Sequence, residues 1–412
     1  MAKILHVVTA YHGGAGMAVR RVHEELLKKG VESQMLVRFG HVGDETISAA
    51  QPNKDLYIPP SNHLLRKIEQ TLRRRGKCLT RVERFEREMD RLDHLYVASY
   101  TSPVSNYDLA THPMVQEADI IHLHWIENFV DYPSFFQRVN KPIVWTFHDE
   151  NIAFGGFHYS DEANRLKDPF AEIERQFVTI KKEALTSNLN IHMVALSRQM
   201  EQFYHAHAIQ SGYPVSIIHN GIKHDDFQIL DQDYCREILG IPDNRIVLCF
   251  CASDINDKYK GLATLIKSLE YLNSSAITLL CVGKGNLPKS SVDIIGTGSI
   301  FNPRLLSVAY SASDLLIMPS YQEAFAQTPI EAMTCGCPVV AFPCSGTEEL
   351  INVNNGIRCP DFTVESLVNG IQKALATPYD REAIRKDVIE RFNIGKIAGQ
   401  YIDLYKQVMV RG

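Results

Sequence analysis

Short apolar runs separated by stretches of helical spacing recur along this chain in two sets. The first set covers residues 4–8, 35–37, 119–125, 142–147, 192–197 and 215–218. The second covers Ile246–Ala252, Ile277–Val282, Leu315–Met318 and Val339–Phe342. Short runs without polar alternation read as strands buried on both faces, as in parallel sheets covered by helices. Met17, Val22 and Leu26 illustrate the helical spacing between them, with Gly30 as a stop. The pattern predicts an α/β chain of two doubly wound domains. A length of 412 residues agrees, because a single core of that size is unusual. The turn signal His219-Asn220-Gly221-Ile222 and the polar stretch Lys223 to Asp233 place the boundary. Residues 1–218 are then the first domain and 219–394 the second. Ile397, Tyr401, Leu404, Tyr405 and Val408 predict a closing helix over about 395–412.

Composition narrows the function classes. The net charge of -5 offers nothing to nucleic acid, and no apolar run approaches the ~20 residues that span a bilayer. The first residues, Met1 to Val8, read as a buried strand and not as a signal peptide. Nine cysteines, mostly inside apolar strands and without Cys-x-x-Cys spacing, suggest reduced core thiols in the cytoplasm. Cys335-Gly336-Cys337 reads as a small-residue turn, with a metal or redox pair as the alternative. One region departs from the bulk charge: Arg66–Arg87 holds nine basic and three acidic residues. Leu64, Leu65, Ile68 and Leu72 precede or enter it at helical spacing. Such a segment suits an anionic membrane surface. A solvated helix or a patch for a phosphate-bearing acceptor are the alternatives.

Four constellations carry chemistry. Between Leu315–Met318 and Val339–Phe342 lie Glu323 in a loop and Glu331 on a helix, two acids eight apart. They stand at the carboxyl end of a strand, where open sheets bind ligands. Asp257-Lys258-Tyr259-Lys260-Gly261-Leu262 follows another strand and places Lys260 at a helix start. Gly13-Gly14-Ala15-Gly16 follows the first strand, and Gly283-Lys284-Gly285 ends its counterpart in the second half. Glycines there either let backbone N–H groups approach an anion or simply make a tight turn. Trp145-Thr146-Phe147-His148-Asp149 ends a strand, and His122-Leu123-His124 ends the one before it. Asp149 would bind a hydroxyl or cap its loop. The histidines do not fix a ligand spacing for a metal.

The segment Pro319-Ser320-Tyr321-Gln322-Glu323-Ala324-Phe325, with Glu331-Ala332-Met333, Gly336 and Pro338-Val339-Val340, resembles the E-x7-E motif of retaining glycosyltransferases. That family, glycosyltransferase family 4 or glycosyl transferases group 1, has the GT-B fold, two Rossmann-like domains facing across a cleft. The resemblance is densest from Asn302 to Gly356 and fades between Gly43 and Leu109. It implies that Glu331 binds ribose and Glu323 the sugar hydroxyls. The backbone from Ala324 through Phe325 and Ala326 to Gln327 would approach sugar and phosphates, with Thr328 beside them. Lys260 would neutralise the diphosphate, and His148 would contact the sugar. Gly14, Gly16 and Gly283 would line the donor, and Asp149 the acceptor side. Phe154-Gly155-Gly156-Phe157-His158 resembles a Thr-Gly-Gly-Cys-His stretch of an exopolysaccharide subgroup.

Two departures stand out. The family's usual Arg before the Lys is replaced by Asp254, Ile255 and Asn256, leaving Lys260 alone or helped by Lys258. Ala324 and Ala326 occupy usual glycine positions and are expected to narrow the loop. The resemblance implies a retaining, metal-independent transfer with no cofactor beyond the nucleotide-diphosphate sugar. The partner would be an oligosaccharide or lipid-linked acceptor for a surface polysaccharide, at the cytoplasmic face of the membrane. A nucleotide-sugar epimerase and a non-catalytic nucleotide-sugar-binding subunit are the alternatives.

Overall fold

A computed structural model describes residues 2–40, 43–53, 71, 81–92, 95, 99–188, 190–272 and 274–411. Most of the basic stretch, residues 66–70 and 72–80, lies outside the described residues; its end falls on the helix Arg81–Asp90. The chain divides into two compact units. The first comprises Met1–Ala195, Glu201–Ser216 and Ile402–Gly412; the second comprises Leu196–Met200 and Ile217–Tyr401.

The first unit is built on a seven-stranded sheet. Its strands are β1 (Ile4–Ala10), β2 (Ser33–Phe39), β3 (Ile47–Ala49), β4 (Ile120–Leu123), β5 (Ile143–Thr146), β6 (Ile191–Ala195) and β7 (Val215–Ile217). They lie in the order β3-β2-β1-β4-β5-β6-β7. The second unit has β8 (Ile246–Asp254), β9 (Ile277–Lys284), β10 (Asp293–Gly298), β11 (Leu315–Met318), β12 (Val339–Ala341) and β13 (Gly356–Arg358). Their order is β10-β9-β8-β11-β12-β13. The ladders among described residues are parallel, with register such as His6 opposite His122 and Leu316 opposite Val339. These are two Rossmann-like α/β units.

Both faces of the second sheet are covered, which explains its unbroken apolar runs. Val247, Cys249, Leu316, Met318, Val339 and Ala341 enter one core. The alternate residues Leu248, Phe250, Leu315, Ile317, Val340 and Phe342 enter the other. Strand order reverses between β1 and β4 in one sheet and between β8 and β11 in the other. At such a switch point the loops beyond the strand ends diverge and leave room for a ligand. The sequence motifs follow these strands: Gly13–Gly16 after β1, His124 after β4, Lys260 after β8 and Glu323 after β11.

Gly13–Gly16 differs from the expectation of a loop before a helix. The helix already begins at Gly13 and runs to Lys28. Gly16 has to be glycine, because a Cβ would stand 2.4 Å from the Ala10 carbonyl oxygen. It lets the first helical turn press onto the end of β1.

Candidate active site

In the second unit the loops after β8 and β11 are built against each other. Asp257 caps its turn by accepting the Tyr259 N–H at 2.9 Å. Gly261 then takes a φ of +75°, and a Cβ there would lie 2.0 Å from the Pro319 carbonyl oxygen. Only glycine allows this approach. A backbone bond from the Tyr321 N–H to the Tyr259 carbonyl, 2.8 Å, ties the loops. Lys260 Nζ consequently donates to Glu323 Oε1 at 2.7 Å. The lysine side chain is 31% exposed and the glutamate 16%. Burial works to lower the Lys260 pKa, but the Glu323 carboxylate outweighs it, and the ammonium is held above its ordinary value. An ammonium has three N–H donors. Glu323 takes one.

The loop from Ala324 to Ala326 is pinned through its carbonyls. Ser345 Oγ donates to the Ala324 oxygen at 3.1 Å, and Asn220 Nδ2 to the Phe325 oxygen at 3.0 Å. The Phe325 ring stacks on His219 with centroids 4.7 Å apart and an 11° tilt. Gly346, at φ +78°, admits the Phe325 ring where a Cβ would meet it at 2.7 Å. Ala326 then occupies the position just before the helix Gln327–Thr334, whose first turn carries neither a side-chain cap bond nor an acid. An uncapped helix N-terminus presents N–H groups and a positive dipole end. Glu331 lies one turn further in, where Tyr310 OH reaches its Oε2 at 3.5 Å.

Ala324 and Ala326 correct the expectation that their methyls narrow the loop. Ala326 is 6% exposed and belongs to the core with Ile330 and Met333; Ala324 packs against the same core. Neither has a positive φ. The segment in place of the missing arginine is also engaged. Asn256 exchanges hydrogen bonds with the Asn286 backbone, and Asp254 lies 3.6 Å from Lys284. Lys258 lies over the Tyr259 ring, 4.7 Å from its centroid. Gly283 is the penultimate residue of β9, and its φ of +140° and a Cβ contact of 1.9 Å to the Ala252 oxygen make it a packing glycine.

In the first unit, His124 follows β4 and His148 follows β5. Their rings join His6 of β1 in a chain: His6 Nδ1 to His124 Nε2 is 3.1 Å, and His124 Nδ1 to His148 Nε2 is 3.3 Å. His6 and His124 are buried, whereas His148 is half-buried. Burial lowers all three pKa values, that of His148 to about 4. His122 packs against His124 with centroids 4.0 Å apart and the rings tilted by 37°, and its two nitrogens meet Tyr405 OH at 2.7 Å and Thr146 Oγ1 at 2.8 Å. Nitrogens of His6, His122 and His124 lie within 4.8 Å of one another. Imidazoles radiating from one ion at metal–nitrogen distances near 2 Å would hold their centroids about 5 Å apart. The His122–His124 pair, tilted by 37°, is closer than that, whereas His6 stands 5.0 Å from His122 and 5.4 Å from His124.

Asp149 is a hub. Its carboxylate accepts Trp125 Nε1 at 2.7 Å and the Asn151 N–H at 2.9 Å, and His158 Nδ1 lies at 2.6 Å. Burial works to raise its pKa, but these partners outweigh it, and the carboxyl is held below its ordinary range. It caps its loop, the second of the two roles expected from sequence. The following glycines are occupied as well: Glu174 accepts the N–H groups of Gly155 and Gly156. A cavity of about 320 Å³ opens beside Arg38 at the end of β2, lined also by Met89, Ser102, Tyr107 and Asn128, with Glu86 among its walls. Arg38 Nη1 donates to the Asn128 carbonyl at 2.6 Å, while its buried Nε has no hydrogen-bond partner. Asn128 holds that carbonyl with a φ of +55°, unusual for a non-glycine.

Residues that the motifs did not reveal therefore complete both sites. Tyr310 lies on the helix Pro303–Ala312, Asn220 was read as a turn signal, and His6 sits inside an apolar run. No local spacing marks them.

Comparison with known proteins finds relatives of the same fold. Residues 245–377 match the family model described as glycosyl transferases group 1. A putative colanic acid biosynthesis glycosyl transferase, WcaC of Escherichia coli, is 22% identical over 94% of this chain and 93% of its own. An uncharacterised glycosyltransferase of Methanocaldococcus jannaschii is 24% identical over 72% of this chain and 77% of its own. Among solved structures, sucrose-phosphate synthase of Thermosynechococcus elongatus superposes with a TM-score of 0.68, covering 100% of both chains at 21% identity. HepE of Anabaena, solved with UDP-glucose, gives 0.65 at 17% identity, covering 99% of this chain and 100% of that one. Residues 245–377 of the second unit thus match a glycosyl transferases group 1 domain, and the chain has the GT-B fold of the glycosyltransferases it is similar to.

Proposed function

We propose that the chain is a retaining, metal-independent glycosyltransferase. It would move a sugar from a nucleoside-diphosphate sugar to a glycan or lipid-linked acceptor in surface-polysaccharide assembly. The observation that carries this reading is the Lys260–Glu323 pair, at the β8/β11 switch point and beside an uncapped helix start with Glu331 one turn in. The donor chemistry calls for such a set. The leaving diphosphate gathers negative charge, and the remaining N–H donors of Lys260 and the first amides of the helix Gln327–Thr334 stabilise it. Glu331 takes ribose hydroxyls, and Glu323 takes those of the sugar. Asp149 is committed to Trp125, His158 and Asn151, so the acceptor proton goes to the donor phosphate on the face the leaving group vacates.

The acceptor reading rests on two features of the first unit. The cavity beside Arg38 has a guanidinium in its wall, which suits an anionic group on the acceptor. The basic stretch Arg66–Arg87 suits an anionic lipid surface. The colanic acid relative supports the same setting.

A thermal-shift screen of nucleoside diphosphates and their sugars, followed by turnover assays with a panel of acceptors, tests the proposal. Stabilisation by one nucleotide sugar and transfer with retained anomeric configuration are expected. Binding without transfer to any acceptor would make the chain a binding subunit. An inverted sugar formed without acceptor would make it an epimerase.

A further inference from the structure

The His6–His124–His148 chain has a direction. Each ring is neutral near pH 7, because burial disfavours the imidazolium. A neutral imidazole holds one proton, so it donates through one nitrogen and accepts through the other. His124 is bonded at both nitrogens. The two inter-ring bonds must therefore point the same way, either both outward from His6 or both inward toward it. The buried end decides. His6 is 0% exposed, and its Nε2 has no hydrogen-bond partner. In the inward arrangement that nitrogen carries an N–H stranded in the protein interior. In the outward arrangement it carries only a lone pair. Orphaned buried N–H groups are the rarer and more costly defect. Outward polarity puts the proton of His6 on Nδ1, that of His124 on Nδ1, and that of His148 on Nδ1.

We propose that His6 is a positioning residue, which, through His124, fixes His148 with its proton on Nδ1, so that His148 meets its ligand as a hydrogen-bond donor and not as a base. The proposal rests on the reading of His148 as a sugar-contacting residue. The surroundings support the assignment. Asp149, next in sequence, spends its oxygens on Trp125, His158 and Asn151 and leaves the relay without a hydrogen-bonded carboxylate. His122 packs against His124 but bonds Tyr405 and Thr146 instead. His23, edge-on to His6 at 6.1 Å, is held by Ser33 and Thr46. A donor at Nδ1 recognises an oxygen acceptor, such as a sugar hydroxyl or a phosphate oxygen. It cannot remove the acceptor's proton, so base catalysis falls to the donor phosphate.

Protein labelled with 15N-histidine tests this directly. Long-range imidazole 15N–1H spectra report the tautomer, and the His148 signals are assigned by their loss in His148→Ala. The Nδ1–H form is expected for His148; the Nε2–H form overturns the proposal. His6→Asn keeps an amide N–H near the His6 Nδ1 position and is expected to retain both the tautomer and the KM for the nucleotide sugar. His6→Leu removes the donor, and a mixed His148 tautomer with KM raised about five- to tenfold is expected, the loss of one net hydrogen bond. An unchanged tautomer in folded His6→Leu also overturns the proposal. If His148→Ala leaves every KM and kcat untouched, the sugar-contact reading fails on its own, and the spectra still decide the relay.

Discussion

At the scale of single residues, the candidate donor site rests on three charges whose partners differ. Glu331 has a long contact from Tyr310 and is the residue proposed to take ribose hydroxyls. Glu331→Ala is expected to weaken nucleoside diphosphate binding about fivefold or more, because one or two net hydrogen bonds are lost. Calorimetry with an unchanged affinity would remove Glu331 from the ribose role. Lys260 and Glu323 behave as a unit. Lys260→Met leaves Glu323 without its ammonium partner, and Glu323→Gln leaves the ammonium with a neutral one. Kinetics of the double variant should show a loss well short of the product of the single losses. A fully multiplicative loss would mean that the two residues act separately. These three were legible in the sequence because they stand in motifs that resemble those of a known family; the two-acid spacing alone is a weak signal. Tyr310 and His6 were not, because each looks like core. Only the strand order brings Tyr310 to Glu331, or His6 to His124.

At the scale of elements, the site depends on glycines that let loops approach strands. Gly261→Ala must place a Cβ against the Pro319 carbonyl and hold a positive φ. The φ alone costs about 1–2 kcal/mol, and the contact adds to it. The variant is expected to melt lower and to bind nucleotide more weakly, since Lys260 is carried on the displaced turn. Wild-type melting and affinity together would show that the turn relaxes freely. The alternation of strands and helices was readable over most of both sheets, since both faces are covered and the apolar runs are unbroken. The short edge strands were not: β3, β10 and β13 carry polar residues or glycine and lie at sheet edges. Side-chain direction was also beyond the sequence. Ala324 and Ala326 pack against the core, while Tyr321 beside that loop is hydrogen-bonded to Thr264.

At the scale of the whole molecule, five histidines share one electrostatic fate. His6, His23, His122, His124 and His148 have pKa values lowered first by burial, to about 4 for His23 and His148. In the unfolded chain each returns to about 6.5. Between those values the unfolded state binds protons that the native state refuses. Their contribution to stability is therefore complete above about pH 7 and is lost as pH falls through 6.5 toward 4. Each contributes a slope of at most about 1.4 kcal/mol per pH unit in that window. Urea midpoints should be level from pH 8 to 7 and drop steeply between pH 6.5 and 5. The asymmetry distinguishes these histidines from carboxylate pairs, whose effects begin at lower pH. His23→Gln offers the control. His23 is held by Ser33 and Thr46 and lies outside the relay, so a glutamine keeps the site while removing one titrating group. The variant should lose less stability than the parent over the same acid window. A parent midpoint that stays level down to pH 5 would mean that these rings are hydrated or charged in solution, and the neutral relay from His6 to His148 would fall with it.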